Sequence, residues 1–168
     1  DADGDGIDDI VVGTYTGFAS NVHHGYIYVF NAVTHELEWQ SDDIGLVNKV
    51  VVTDLDGDGK KEIIASVLYS RSGVIGNRYG YIYVFDGVTH NQMWQSGEIG
   101  TPRDLVVDDV DGDDVKEIIT SGMDYYSCTR HGHVYVFDGA DFTREWKSED
   151  VNSPSAIVVA DVDSAGVK

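Results

Sequence analysis

The chain has little positive charge, a single cysteine and no long apolar run. Lys and Arg total 11 against 30 Asp and Glu, so the formal net charge is −19. This balance argues against partners that are themselves anionic, such as nucleic acids and acidic membrane surfaces. Because Cys128 is the only cysteine, an internal disulfide is excluded. No stretch of the sequence has the length of a transmembrane segment or the pattern of a signal peptide.

A convincing helical period is also missing, and the regular feature is instead an acidic pattern of nine residues. It occurs at Asp1–Asp9 (DADGDGIDD), Asp54–Glu62 (DLDGDGKKE) and Asp109–Glu117 (DVDGDDVKE). Each copy has carboxylates at positions 1, 3, 5 and 9 and glycine at position 4. Calcium binds six to eight oxygen ligands, whereas four carboxylates so close together repel one another without a cation. A surface turn could explain one copy, but three copies with one spacing predict metal-binding loops.

Two departures from the pattern bear on which loops bind. Asp114 stands at position 6 of the third loop, where the first two loops have glycine, and this predicts a strained turn. A fourth copy begins at Asp161 but has Ala165 at position 5 and stops before position 9. We expect no binding by the fourth loop in this chain.

The loops are part of a longer repeat. The first aspartates of successive loops are 53, 55 and 52 residues apart, which divides the chain into repeats 1–53, 54–108 and 109–160 and the start of a fourth at 161–168. Each repeat has an aromatic segment, at Gly25–Phe30, Gly80–Phe85 and Gly132–Phe137, and then a tryptophan, at Trp39, Trp94 or Trp146. All variation in length falls between the loop and the aromatic segment. That part is predicted to be an exposed connection and the remainder a fixed scaffold.

Four short strands can be assigned to each repeat. One precedes the loop (Lys49–Thr53, Asp104–Asp108, Ala156–Ala160), and one follows it (Ile10–Gly13, Ile63–Ser66, Ile118–Ser121). The aromatic segment is the third strand, apolar on both faces, and a turn at Asn31–Ala32, Asp86–Gly87 or Asp138–Gly139 leads into the tryptophan strand. Four strands in about 50 residues predict an all-β fold, a β-propeller segment of about three blades rather than a solenoid.

The loop between two short apolar strands resembles the FG-GAP and VCBS-type repeats of integrin α-like propellers, and the aromatic–tryptophan segment resembles the blades of quinoprotein-like propellers. The resemblance covers essentially the whole chain. It implies about three bound calcium ions, held by side chains at positions 1, 3, 5 and 9 and by the carbonyl at position 7. Carried onto this sequence, these ligands are Asp1, Asp3, Asp5, Ile7 and Asp9; Asp54, Asp56, Asp58, Lys60 and Glu62; and Asp109, Asp111, Asp113, Val115 and Glu117.

The expected cellular compartment follows from the calcium concentration that such sites need. Weak multi-carboxylate sites of the extracellular kind need roughly 10⁻⁴–10⁻³ M calcium, which the cytosol does not provide. The sequence therefore predicts an extracellular, cell-surface or periplasmic protein. Since Asp1 is already a first ligand, we expect the chain to be part of a longer polypeptide or an assembly, with further blades or head-to-tail copies beside it.

Other candidate sites give weaker signals. His23, His24, His131 and His133 lie near the connections, but their spacing with Cys128 matches no common zinc pattern. The tryptophans could line a sugar site, although their fixed place in every repeat favours core packing. His35 and His90 occupy matching turn positions, which favours a structural role. No catalytic triad is readable, and an enzyme is not predicted.

The favoured function is an adhesion or ligand-binding module for a protein or glycan at the cell surface, without insertion into the membrane. Recognition is assigned to the variable connections at Thr14–His24, Val67–Tyr79 and Gly122–His131. Their aromatic and arginine residues are typical interface anchors: Tyr15, Phe18, Tyr69, Arg71, Arg78, Tyr79, Tyr125, Tyr126 and Arg130. The alternatives are a lectin, a structural subunit of a surface filament or layer, and the propeller domain of a quinoprotein or polysaccharide lyase.

Overall fold

The computed structural model describes residues 1–16, 23–70, 78–126 and 129–161, and within these ranges the chain forms strands and turns without any helix. The described part of the chain accordingly contains no helix that is long and apolar enough to span a membrane. Phe18, Arg71, Cys128 and the fourth loop beyond Asp161 lie outside the described residues, as do the side chains of Tyr125 and Tyr126.

The described strands form three antiparallel sheets whose strand order follows the chain. Sheet I contains β1 (Asp9–Gly13), β2 (Ile27–Asn31) and β3 (Leu37–Gln40). Sheet II contains β4 (Leu46–Thr53), β5 (Glu62–Ser70), β6 (Arg78–Asp86) and β7 (Gln92–Gln95). Sheet III contains β8 (Thr101–Asp108), β9 (Glu117–Tyr126), β10 (Thr129–Phe137) and β11 (Arg144–Lys147). The all-β prediction is confirmed, and sheets II and III each contain four strands of the predicted kind.

The predicted strand Ala156–Ala160 is wrong. The segment has no strand assignment in the structure, and the Ile157 N–H donates to Asp104 Oδ2 at 2.8 Å. In sheets II and III the corresponding strand pairs with the one after the metal loop, as Thr53 does with Glu62. A strand needs such a ladder to satisfy its backbone groups, and no strand after the fourth loop falls within the described residues.

The variable connections are less exposed than the sequence predicts. Much of the second and of the third connection belongs to a long hairpin, because β5 pairs with β6 from Glu62 to Ser70 and β9 pairs with β10 from Ile118 to Tyr126. Val67 and Met123 are buried within these extensions. Among the described residues of the first connection, Thr16 and His24 form an isolated bridge. Apolar residues in register across the hairpin explain why it continues beyond the predicted strand ends.

The three sheets stack face to face, with two cores between them. One core joins sheets I and II and includes Ile27 and Val29 from β2 with Ile63 and Tyr83. The other joins sheets II and III and includes Ile64, Ile82 and Val84 with Leu105, Ile118 and Phe137. Successive residues of a strand point to opposite faces, so the middle sheet is buried on both sides, as its doubly apolar strands predict. Each fully buried aliphatic side chain contributes about 1.5–3 kcal/mol.

Each tryptophan of the first two sheets packs against the next sheet. Trp39 stacks on His90 with ring centroids 4.7 Å apart, and Trp94 stacks on Phe142 at 5.2 Å. His90 and Phe142 hold matching turn positions with φ of 59° and 62°. The structural roles predicted for the tryptophans and for His90 are thereby confirmed for these pairs. Trp146, on the outer face of sheet III, is 53% exposed.

Candidate metal sites

The three acidic loops occupy equivalent places at one end of the sheets. The second loop connects β4 to β5, the third connects β8 to β9, and the first leads into β1. The residue at position 9 begins the following strand, and in sheet II it pairs with the last residue of the preceding strand. The strand pairing therefore fixes both ends of the loop.

The carboxylates at positions 1, 3 and 5 each accept a hydrogen bond from a backbone amide further along the same loop. At position 1, Oδ1 of Asp1, Asp54 and Asp109 accepts the position-4 amide at 2.7, 2.8 and 2.6 Å. At position 5, Asp5, Asp58 and Asp113 accept the position-7 amide at 2.7, 2.8 and 2.9 Å. Position 3 accepts the position-5 amide in the same way, at 3.1 to 3.2 Å. In the first two loops these Asx-type turns accompany a clustering of all three aspartates, and in the third loop of Asp109 and Asp111.

Two positions of every loop require a left-handed backbone. Position 4 has φ of 83°, 78° and 85°, and it is glycine in all three loops. Position 6 has φ of 88° and 87° at Gly6 and Gly59 and 72° at Asp114. Glycine adopts this region without steric cost, and aspartate tolerates it better than most residues. The strained turn predicted at Asp114 is confirmed by its positive φ.

The carboxylate at position 9 is held beneath the loop. It accepts the position-2 amide in all three copies, from Ala2 to Asp9 at 2.6 Å, from Leu55 to Glu62 at 2.8 Å and from Val110 to Glu117 at 2.7 Å. Glu62 and Glu117 are only 4% and 1% exposed. Asp9 Oδ1 is buried without a hydrogen-bond partner. A buried carboxylate oxygen without a partner is costly unless a cation compensates it.

The electrostatics of the loops also favour a cation. Burial is the largest of the effects that raise the pKa of Glu62 to about 7; the charges of Asp56 and Asp58 add to it, and the Leu55 amide opposes it. Burial likewise raises the pKa of Glu117, with the charge of Asp111 contributing. A bound divalent cation removes this penalty because it stabilises the ionised form.

The structure brings three acidic groups together in each loop, with ligand oxygens within 4.8 Å of one another. The groups are Asp1, Asp3 and Asp5; Asp54, Asp56 and Asp58; and Asp109, Asp111 and Glu117. Hard oxygen donors at this density suit calcium better than zinc, which is usually bound by nitrogen and sulfur. These residues therefore fit a calcium site. The position-9 ligands of the first two loops, Asp113 and the carbonyls of Ile7, Lys60 and Val115 stay predictions.

Sequence reasoning missed a physical link between the second and third loops. Leu55, at position 2, is fully buried between sheets II and III, and its carbonyl accepts the Lys116 N–H at 3.0 Å. The Lys116 ammonium donates to Thr53 Oγ1 at 2.6 Å and to the Asp54 carbonyl at 2.9 Å. Position 2 is apolar in every loop, and this pattern could have predicted that Leu55 is buried between two sheets.

The Asp–Gly turns also lie against the acidic loops. A Cβ at Gly87 would lie 2.1 Å from the Ala2 carbonyl oxygen, and one at Gly139 would lie 2.1 Å from that of Lys116. Glycine is thus needed there for the close approach of a metal loop, in addition to the turn that the sequence predicts.

The histidines predicted as weak zinc candidates make polar contacts at the opposite end of the sheets. His24 Nδ1 pairs with Asp43, and His131 Nδ1 pairs with Asp150, at matching positions of the first and third repeats. His133 Nδ1 contacts the Ser148 carbonyl at 2.9 Å. Within the described ranges, the groups of three potential ligands consist only of carboxylates from the three loops.

A scan of the sequence against models of known protein families finds no match, and a search of curated proteins finds no relative. The assignment to FG-GAP and VCBS-type repeats stays a prediction from the motifs.

Proposed function

We propose that this chain is a calcium-stabilised segment of a β-propeller, built from FG-GAP or VCBS-type repeats, that serves as an extracellular binding module. One observation carries the metal proposal above the others. The same hydrogen-bond pattern recurs in all three loops. It brings aspartates close together above a buried carboxylate at position 9. An arrangement so costly in repulsion is stable when each loop holds a divalent cation.

The role proposed for calcium is structural. Glu62 begins β5 while Asp54 follows β4, so a cation bound to both would tie the two strands together at their ends. The contact of Lys116 with the Asp54 carbonyl would pass this restraint to the next sheet. Extracellular calcium is abundant enough to fill sites of modest affinity, which supports a location outside the cytosol.

The propeller proposal rests on how neighbouring sheets meet. β4 and β8 are the first strands of their sheets and lie against each other, with Lys49 Nζ 2.6 Å from Asp104 Oδ1. Apolar residues are exposed on the outer face of sheet I, including Ile10, Val12 and Leu37, and on that of sheet III, where Trp146 lies. Such faces are normally covered. Further blades or head-to-tail copies would cover them and continue the stack toward a ring.

Ligand binding is assigned to the end of the sheets that bears the hairpin tips, away from calcium. Tyr69 and Tyr79 stack there with ring centroids 5.5 Å apart. Arg78 is the first residue of β6, and Arg130 is the second residue of β10. β9 crosses from the metal loop to this end in ten residues, a distance of roughly 30 Å. Metal and ligand would thus occupy opposite ends of a rigid scaffold.

Thermal unfolding with EDTA, calcium or magnesium tests the proposal. At free calcium about 100 times the dissociation constant, each site stabilises the fold by about 2.7 kcal/mol, or roughly 5–10 °C in Tm. EDTA should lower Tm, and calcium should restore it better than magnesium, which prefers fewer protein ligands. A melting curve indifferent to EDTA would overturn the metal proposal.

A further inference from the structure

The strongest unassigned feature is a cleft at the hairpin end of sheet III. A cavity of about 290 Å³ is lined by Arg103 of β8, Met123 of β9 and Arg130 of β10, and by Ser153, Pro154 and Ser155 of the segment after β11. The chain has 11 basic residues against 30 acidic ones, so two arginines around one small cavity are a notable concentration of positive charge.

The cleft lies beside a proline–glycine contact that recurs in the repeat. Proline packs against the glycine of the aromatic strand in two sheets, since a Cβ at Gly80 or Gly132 would lie 2.3 Å from Cδ of Pro102 or Pro154. By repeat register, the place of Arg103 in sheet II is held by Asn48. The proline–glycine contact is therefore common to sheets II and III, and at sheet III Arg103 and Arg130 line one cavity beside it.

We propose that this cleft binds an oxyanion, carried as a carboxylate or a sulfate on a small molecule or at the end of a longer ligand. Guanidinium groups match these anions with paired N–H donors. Each guanidinium has five N–H donors, so one side chain can contact the protein and a ligand at the same time. The hydroxyls of Ser153 and Ser155 can donate further hydrogen bonds, and Met123 with Pro154 offers an apolar wall for the rest of the ligand.

The net charge of −19 does not oppose this assignment. Arg130 pairs with Tyr125, eight residues along β9 from the third metal loop, which is roughly 25 Å. Charges at that distance are screened at physiological ionic strength, where the Debye length is about 8 Å. Asp104 and Asp124 adjoin Arg103 and Met123 in the sequence, and Asp150 accepts the Gly132 amide, but none of these carboxylates lines the cleft, whose charged lining residues are the two arginines.

The two methionines provide a direct probe. Met123 is 1% exposed and lines the cleft, whereas Met93 on β7 is 44% exposed and does not line it. In protein with ¹³C-labelled methionine methyl groups, sulfate or acetate is titrated at fixed calcium and ionic strength, with chloride as the replaced anion. We expect a saturable shift of the Met123 signal and none of the Met93 signal. A stronger response to sulfate than to acetate identifies a tetrahedral oxyanion, and the reverse identifies a carboxylate.

Variants then assign the site. Arg130→Gln and Arg103→Gln should each weaken anion binding about tenfold or more, since each removes charge-assisted hydrogen bonds. Arg130→Lys keeps the charge but loses the paired geometry, so it should have an intermediate effect. Arg144→Gln, on β11 and outside the cleft, removes the same charge and should leave binding unchanged.

The proposal is overturned if neither anion produces a saturable Met123 shift. It is also overturned if Arg144→Gln weakens binding as much as the cleft variants do. Anion binding in this cleft rests on the proposed function, since it would give the hairpin end of the module one class of ligand. Anion binding and calcium binding can nevertheless fail separately. A melt indifferent to EDTA removes the calcium proposal and leaves the Met123 titration readable.

Discussion

At the residue scale, the most unusual groups are the position-9 carboxylates. Glu62 lies beneath the second loop, accepts one amide hydrogen bond and has its pKa raised to about 7, chiefly by burial. Without metal its ionised form is disfavoured in the folded state. With metal the same burial becomes useful, because a desolvated carboxylate binds a cation strongly.

The pH dependence of the metal-free protein should therefore run in an unusual direction. Glu62 has a higher pKa folded than unfolded, so its contribution to stability is complete below about pH 4.5 and is lost as pH rises to about 7. In EDTA, raising the pH over this range should cost up to roughly 3 kcal/mol of unfolding free energy. Glu62→Gln should abolish much of this slope, while the exposed control Glu36→Gln should retain it. Equal slopes in both variants would contradict the assignment.

Asp114 is the residue where the loops differ most clearly. Its φ of 72° is a conformation that glycine adopts freely and other residues adopt at a cost of about 1–3 kcal/mol. Asp114→Gly should relieve this strain, but the greater freedom of unfolded glycine offsets about 0.5–1 kcal/mol of the gain. We expect stability to be unchanged or raised by about 1 kcal/mol and calcium affinity not to fall. A large loss in a calorimetric titration would show that the Asp114 side chain itself binds the metal.

At the scale of elements, the acidic loops connect neighbouring sheets in addition to forming turns. Lys116 of the third loop donates to the Asp54 carbonyl at the start of the second, while Leu55 is buried between their sheets. Because repeats interact with their neighbours, binding at one loop should influence the next.

Lys116→Met should uncouple these two loops. It removes the hydrogen bonds to Thr53 and Asp54, worth about 1–3 kcal/mol together, and should lower calcium affinity at the second loop. Lys61→Met is the matched control, since Lys61 is exposed at the same position of the second loop. Calorimetry of both variants provides the comparison. Asp109→Asn in the otherwise unchanged protein tests the coupling from the other side. If it leaves calcium affinity at the second loop unchanged, the loops bind independently and the predicted coupling is wrong.

At the scale of the whole molecule, the stack has one interior sheet and two outer faces. Tryptophans of sheets I and II are covered by the turn residue of the following sheet, whereas Trp146 is exposed. His35, in the equivalent turn of sheet I, has the same left-handed backbone as His90, with φ of 60°. One outer face thus presents His35 and the other presents Trp146, which are equivalent to the turn residue and the tryptophan that stack between neighbouring sheets.

We therefore predict head-to-tail association of the 168-residue chain. Light scattering should give a mass above 18.4 kDa, and Trp146→Asp should shift it toward that value by placing a charge in the contact. Met93→Asp, at an exposed site on β7, should not change it. A compact monomer with a cooperative melt would contradict the prediction. A contact of this kind closes into a ring or extends as a filament, according to its rotation.

The local features of this protein follow from its sequence alone. The aspartate spacing predicts the acidic loops, and Asp114 in place of glycine predicts a strained turn in the third loop. Doubly apolar strands predict a sheet buried on both faces. These inferences succeed because turns, strand alternation and left-handed positions depend on residues close together in the chain.

Other features depend on how distant parts of the chain pack together. Ala156–Ala160 has strand-forming residues but no ladder partner among the described residues, and Val67 and Met123 are buried by long hairpins. Leu55 and Lys116 meet across 61 residues, and Arg103 and Arg130 share a cleft with Pro154, because sheet stacking places distant residues together in ways that no local pattern encodes.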